Sequence, residues 1–211
     1  MTDNKEDYLK IIYELGGYQK QINNREISSA LGVSAPSVSE MIKKLLEEEY
    51  LEYTPYKGIK LTEQGKKEAI KVLRRHQLWE VFLVEHLKYS WDEVHEEAEK
   101  LEHVTSIKLE EHLDKYLNYP KTCPHGNPII RNGENSFNYR NMKSLLVGET
   151  SRIRRVTDEK ELLKYMVHLD LKIGDEFTVV SFAPYNGPIT LEVDGKSIII
   201  GREAAEKIYV D

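Results

Sequence analysis

The chain holds one cysteine, Cys123, in 211 residues. A lone thiol cannot close an internal disulfide, which fits a reducing compartment. Long apolar runs are missing as well. None approaches the roughly 18 residues that span a bilayer, so no membrane partner is expected. Met1 to Glu6 is polar and acidic, unlike a secretory signal, and a cytoplasmic location is the expectation. Hydrolytic signatures are also absent: there is no H-E-x-x-H pair, no Ser/His/Asp set and no phosphate-binding Gly loop. An enzyme is therefore not expected.

A surplus of positive charge is missing too, since the formal net charge is −6. That total hides an uneven distribution. Residues 1–75 carry 13 Lys/Arg against 12 Asp/Glu, net +1. Residues 76–125 carry 5 against 11, net −6, with six of the seven histidines. Residues 126–211 carry 12 against 13, net −1. The acidity belongs to a His-rich middle, and the first third keeps a charge balance compatible with binding phosphates.

Hydrophobic periodicity predicts a mainly α chain with a small β module. Apolar residues at Tyr8, Leu9, Ile11, Ile12 and Leu15 mark a first helix. Short helices follow from Asn24 to Leu31 and from Ala35 to about Glu49. Leu51–Thr54 and Gly58–Leu61 read as two strands, and Thr62 as the N-cap of a long helix past Val84. Ser90 is the expected cap of a helix to about Lys108, with Leu109–Leu117 as another helix or its extension. From Thr150 the pattern alternates. Strands are expected at 151–156 and 177–182, a short helix from Glu159 to Tyr165, and a hairpin over 189–200 with an Asp194-Gly195 turn. These elements divide the chain into a helical domain with a hairpin over 1–73, a second helical domain over 74–125, a linker over 126–147 and a β-barrel module over 148–211.

Three helices and a two-stranded hairpin form the order of a winged helix-turn-helix. Ser28 and Gly32 have the spacing of the small residue and the turn glycine of that motif. Ile27, Leu31, Val33, Val38, Ile42 and Leu45 would supply the apolar faces between its helices. Ser34, Pro36, Ser37, Ser39 and Glu40 remain to face base edges, with Lys43 and Lys44 placed for phosphates. Tyr56 and Lys57 form the tip of the wing.

The chemistry of the middle is carried by W-D-E-V-H-E-E-A-E-K-L-E-H. His95, Glu99, Glu102 and His103 lie at i, i+4, i+7 and i+8, sharing one helix face at ~100° per residue. Val94, Ala98 and Leu101 each precede one of them, so the donor residues flank a buried stripe. His76 and Glu80 repeat the i, i+4 spacing on the preceding helix. Imidazoles and carboxylates packed this way suit a first-row divalent ion. A solvated acidic face supported by pairs such as Glu96 and Lys100 is the plainer alternative. Cys123 and His125 add a C-x-H pair in a loop. His86, His112 and His168 fit neither set.

V-H-E-E-A-E-K-L-E-H at 94–103, R-H-Q-L-W-E at 75–80, E-D-Y-L-K-x-I-Y near the start and G-V-S-A-P-S-V-S in the reading element carry a resemblance. Over its whole length the chain resembles the DtxR/MntR family of metal-dependent repressors, in the long form with a C-terminal SH3-like (FeoA-like) domain. The resemblance implies a homodimer that binds a palindromic double-stranded DNA operator when metal-loaded and controls metal-uptake genes. It implies a first metal site of Asp7, Glu99, Glu102 and His103. It also implies a second site drawn from His76, Glu80, His95, Cys123 and His125 and closed by an acid of the β module, Asp158 or else Glu161. Lys10 stands where manganese sensors of the family often have a second acid, which argues against a two-metal cluster. Glu99 stands where iron sensors carry a thiol, so the first site is an all-hard O/N set that favours Mn²⁺. Fe²⁺ is the alternative, with Zn²⁺ or Cd²⁺ as substitutes in vitro. A metal-independent winged-helix regulator is the competing reading.

Overall fold

The computed structural model describes residues 1–131 and 139–211. The chain divides into two compact units, Met1–His76 with Lys100–Ser106, and Gln77–Glu99 with Ile107–Asp211. Two helices, α4 and α5, begin in one unit and end in the other.

The first unit opens with α1 (Asp3–Glu14), α2 (Asn24–Leu31) and α3 (Ala35–Glu47), followed by β1 (Leu51–Thr54) and β2 (Gly58–Leu61). Each boundary has a local cause. Asn23 caps α2 through a capping box, accepting from the Arg25 and Glu26 amides while Glu26 returns a carboxylate to the Asn23 amide. Gly32 ends α2 at φ +65°, in the left-handed region. No atom would meet a Cβ there, so the backbone angle alone selects glycine. The Ser28 hydroxyl donates to the Val33 carbonyl at 2.6 Å and pins the turn. Ser34 caps α3, and Pro36 sits in its first turn, where no amide partner is lost. β1 and β2 pair antiparallel, Leu51 opposite Leu61.

Tyr8, Leu9, Ile12, Ile22, Ile27, Val38, Ile42, Leu45, Leu51 and Ile59 form the core of this unit. Val33, expected among the packing residues, is exposed because it lies in the turn itself. Thr62 caps α4 (Glu63–Glu85) as expected, accepting from the Gly65 amide at 3.0 Å.

The expected helix from Ser90 to Lys108 is shorter. Trp91–Glu93 form a turn, in which the Glu93 amide bonds to the Ser90 carbonyl rather than to its side chain. α5 runs only from Val94 to Glu102. The Thr105 hydroxyl donates to the Leu101 carbonyl at 2.6 Å, satisfying the helix end, and α6 (Ile107–Tyr116) starts afresh.

In the second unit, Leu78, Val81, Leu113, Leu117, Cys123 and Ile129 make a small helical core. β3 (Arg140–Asn141), a 3-10 turn at Met142–Ser144, β4 (Thr150–Val156), α7 (Lys160–His168), β5 (Glu176–Phe182), β6 (Ile189–Val193), β7 (Lys196–Ile200), α8 (Arg202–Ala205) and β8 (Ile208–Val210) complete it. The sheet is antiparallel in the order β3-β8-β4-β5-β6-β7, and Asp194-Gly195 turns the β6–β7 hairpin. Part of the segment read as a linker is built in: Ile129 belongs to the helical core, and Met142 and Leu145 belong to the core under the sheet. Its residues 132–138 lie outside the described residues.

Candidate metal centre and DNA-reading face

Among the described residues, each unit brings donor side chains together. In the first unit, Asp7 on α1 meets Glu102 and His103 at the end of α5, with ligand-type atoms within 4.8 Å of one another. His103 Nε2 lies 3.0 Å from Asp7 Oδ1 and 3.4 Å from Glu102 Oε1. The periodicity of the chain fixed α1 and α5 separately; their meeting is a tertiary event.

Glu102 is fully buried, which a carboxylate tolerates only with charged or donating partners. His76 Nδ1 lies 2.5 Å from Glu102 Oε2, and Lys10 Nζ donates to Oε1 at 2.7 Å. Burial pushes the Glu102 pKa up, but the His76 and Lys10 contacts outweigh it and hold the carboxyl below its usual range. Burial likewise opposes charge on His103, while Glu6, Glu102 and Asp7 raise its pKa overall. Glu6 was not among the sequence candidates. Its Oε2 lies 2.8 Å from His103 Nδ1, and only its place beside Asp7 in E-D-Y-L hinted at it.

In the second unit, Glu80, Cys123 and His125 bring ligand-type atoms within 4.8 Å of one another, all three buried. His125 Nδ1 lies 3.3 Å from Glu80 Oε1 and 3.5 Å from Asp158 Oδ2. His95 joins from α5, with Nδ1 at 3.0 Å from Asp158 Oδ2 and 3.9 Å from Glu80 Oε1. The other ring nitrogen of His95 faces Glu99 Oε1 at 3.3 Å, and this is where Glu99 stands within the second unit. Glu161 is exposed and pairs with Lys164 at 3.3 Å. His76, a sequence candidate for this set, has the Glu102 contact described above.

The Cys123–His125 loop is held against the sheet. The Val156 amide donates to the His125 carbonyl at 3.0 Å, and His125 Nε2 lies 2.7 Å from the Trp91 carbonyl oxygen. Gly126 follows at φ +81°, and a Cβ there would come within 2.0 Å of the Arg154 carbonyl oxygen. Only glycine lets this loop approach β4.

The donor chemistry of both clusters fits a metal ion. Carboxylate and imidazole suit hard or borderline divalent ions such as manganese and iron, and a thiolate in the second cluster widens its range to softer ones.

On the reading face, Ser34, Pro36, Ser37, Ser39, Glu40, Lys43 and Lys44 are all exposed on or beside α3, and Tyr56 and Lys57 at the hairpin tip. Several of these groups have internal partners. Ser34 Oγ lies 2.9 Å from Ser37 Oγ, Ser39 donates to the Ala35 carbonyl at 3.0 Å, and Lys44 pairs with Glu40 at 2.7 Å.

Residues 1–59 match the family description "Iron dependent repressor, N-terminal DNA binding domain". Residues 62–131 match its "metal binding and dimerisation domain", and residues 140–211 match the FeoA domain. The chain belongs to the iron-dependent repressor family. Among solved relatives, the manganese regulator SloR is 45% identical with a TM-score of 0.85, covering 100% of this chain and 99% of that one. A manganese-dependent transcriptional repressor in complex with manganese is 32% identical with a TM-score of 0.90, covering 98% of both chains. The iron-dependent repressor IdeR of Mycobacterium tuberculosis is 38% identical over 129 residues, 61% of this chain. The matched stretch spans 56% of that relative, just over half its length.

Proposed function

We propose that the protein is a manganese-responsive transcriptional repressor, which binds a palindromic operator as a homodimer when metal-loaded. The observation that carries this reading is the convergence of Asp7, from the winged-helix part of the chain, with Glu102 and His103, about 95 residues later. The manganese regulators among its relatives support the metal, and the iron-dependent ones make Fe²⁺ the second choice.

Asp7, Glu102 and His103 would hold the first ion, with Glu99 added by family resemblance. Glu80, Cys123, His125 and Asp158 would hold the second, with His95 beside them. A bound divalent ion supplies positive charge shared between distant carboxylates. Asp7 thereby ties α1 to the end of α5 and narrows the set of conformations open to the reading element. A hundredfold shift in that balance requires about 2.7 kcal/mol of preference for one state. Ser37, Ser39 and Glu40 on α3 face the base edges; Lys43, Lys44 and Lys57 face the phosphates. Pairing of two copies sets the spacing of the two reading helices against half-sites about one DNA turn apart, or a multiple of it.

The test is a titration of a labelled palindromic duplex with Mn²⁺ and, separately, with a chelator. Metal-loaded protein should bind at least about tenfold tighter. Equal affinity in both conditions would overturn the reading in favour of a metal-independent regulator.

A further inference from the structure

The first cluster already contains a cation of its own. Lys10 lies one turn after Asp7 on α1, and it is 5% exposed. Its ammonium sits 2.7 Å from Glu102 Oε1. That same oxygen lies 3.4 Å from His103 Nε2, the nitrogen that stands 3.0 Å from Asp7 Oδ1. The second oxygen of the carboxylate is engaged by His76. An ion that joins His103 and Asp7 to Glu102 through this oxygen must therefore share Oε1 with Lys10 or take it over.

We propose that Lys10 is a built-in competitor for the divalent ion at Glu102, and that it sets the metal concentration at which the first site fills. Two cations on one buried oxygen repel strongly, because little water lies between them to screen the charge. Filling the site therefore involves moving the ammonium, and the flexible four-carbon stem of lysine permits that. Lys10 and Asp7 share a face of α1, so rearrangement at Glu102 is transmitted to the helix that begins the DNA-reading unit. Lys10 is in this sense a threshold-setting residue: it tunes affinity without donating to the metal.

The proposal rests on Glu102 and His103 as ligands, and the experiment separates the two ideas. Mn²⁺ binding is followed by the paramagnetic resonance of the free ion, in full-length protein carrying His125→Ala to weaken the second cluster. Lys10→Met, which keeps the stem and removes the charge, should tighten binding by about tenfold or more. Lys10→Arg, which keeps the charge, should not tighten it. Lys10→Gln replaces the Met variant if thermal melts show that the latter does not fold. Unchanged or weaker binding on loss of the charge, with binding lost in Glu102→Gln, would overturn the competitor role and leave the ligand set standing. Full binding in Glu102→Gln would overturn the ligand set and the competitor role together.

Discussion

Single ionisable side chains would make metal binding at the second cluster dependent on pH. Burial opposes a charge on the His125 imidazole, but Glu80, the Cys123 contact and Asp158 push its pKa up to about 12. Burial pushes the Cys123 thiol up to about 11, with Glu80 acting in the same direction. Both groups hold a proton at neutral pH, and both must lose it to donate an electron pair to a metal. Uptake at this cluster should release about two protons per ion, so apparent affinity rises with pH between about 6 and about 8. Calorimetry in buffers of different ionisation heat measures the number directly. Cys123→Ser should reduce it by about one. A proton count near zero, or affinity independent of pH, would remove Cys123 and His125 from the ligand set.

Turns and caps decide how the reading element stands, and their costs can be separated. Gly32→Ala places a side chain at φ +65° with nothing within 4 Å to collide with, so it should cost about 1 kcal/mol through the backbone alone. Asn23→Ala removes the capping box of α2 and should cost a similar ~1 kcal/mol. Gly126→Ala should cost more, because its Cβ meets the Arg154 carbonyl oxygen and the loop must withdraw from β4. Urea denaturation read by circular dichroism gives the first two values. For Gly126→Ala, metal binding at the second cluster should weaken as well. Stability and metal affinity both at wild-type level would show that the loop approaches β4 without needing glycine.

Across the molecule, each unit has a donor cluster, so ligand binding should stabilise the fold by mass action. Metal at a hundred times its Kd adds about 2.7 kcal/mol. The two tryptophans, Trp79 and Trp91, both lie in the second unit, so their fluorescence reports on that unit. Excess Mn²⁺ should raise the thermal midpoint seen by tryptophan fluorescence, and chelator should reverse the rise. Cys123→Ser should blunt it. A midpoint indifferent to metal would mean that the second cluster does not hold the ion in the folded chain.

Local pattern along the chain accounts for most of the helices and for most of the donor residues. Apolar spacing at Tyr8, Leu9 and Ile12 makes α1, Gly32 needs its positive φ whatever surrounds it, and the His/Glu spacing of α5 follows from helical geometry. These are local consequences of backbone and period. Local patterns did not show the length of α5, because the Glu93 turn and the Thr105 hydroxyl bond bound it, nor β8, a strand of three residues that is defined by pairing with β4 and β3. The partners follow from packing between distant segments. That packing set Lys10 and His76 on Glu102, Glu6 on His103, and Asp158 beside His125 and His95. A side chain's type states which ions it can serve. Which oxygen faces which nitrogen depends on chain segments tens of residues apart being packed together, and no periodicity along the sequence encodes that.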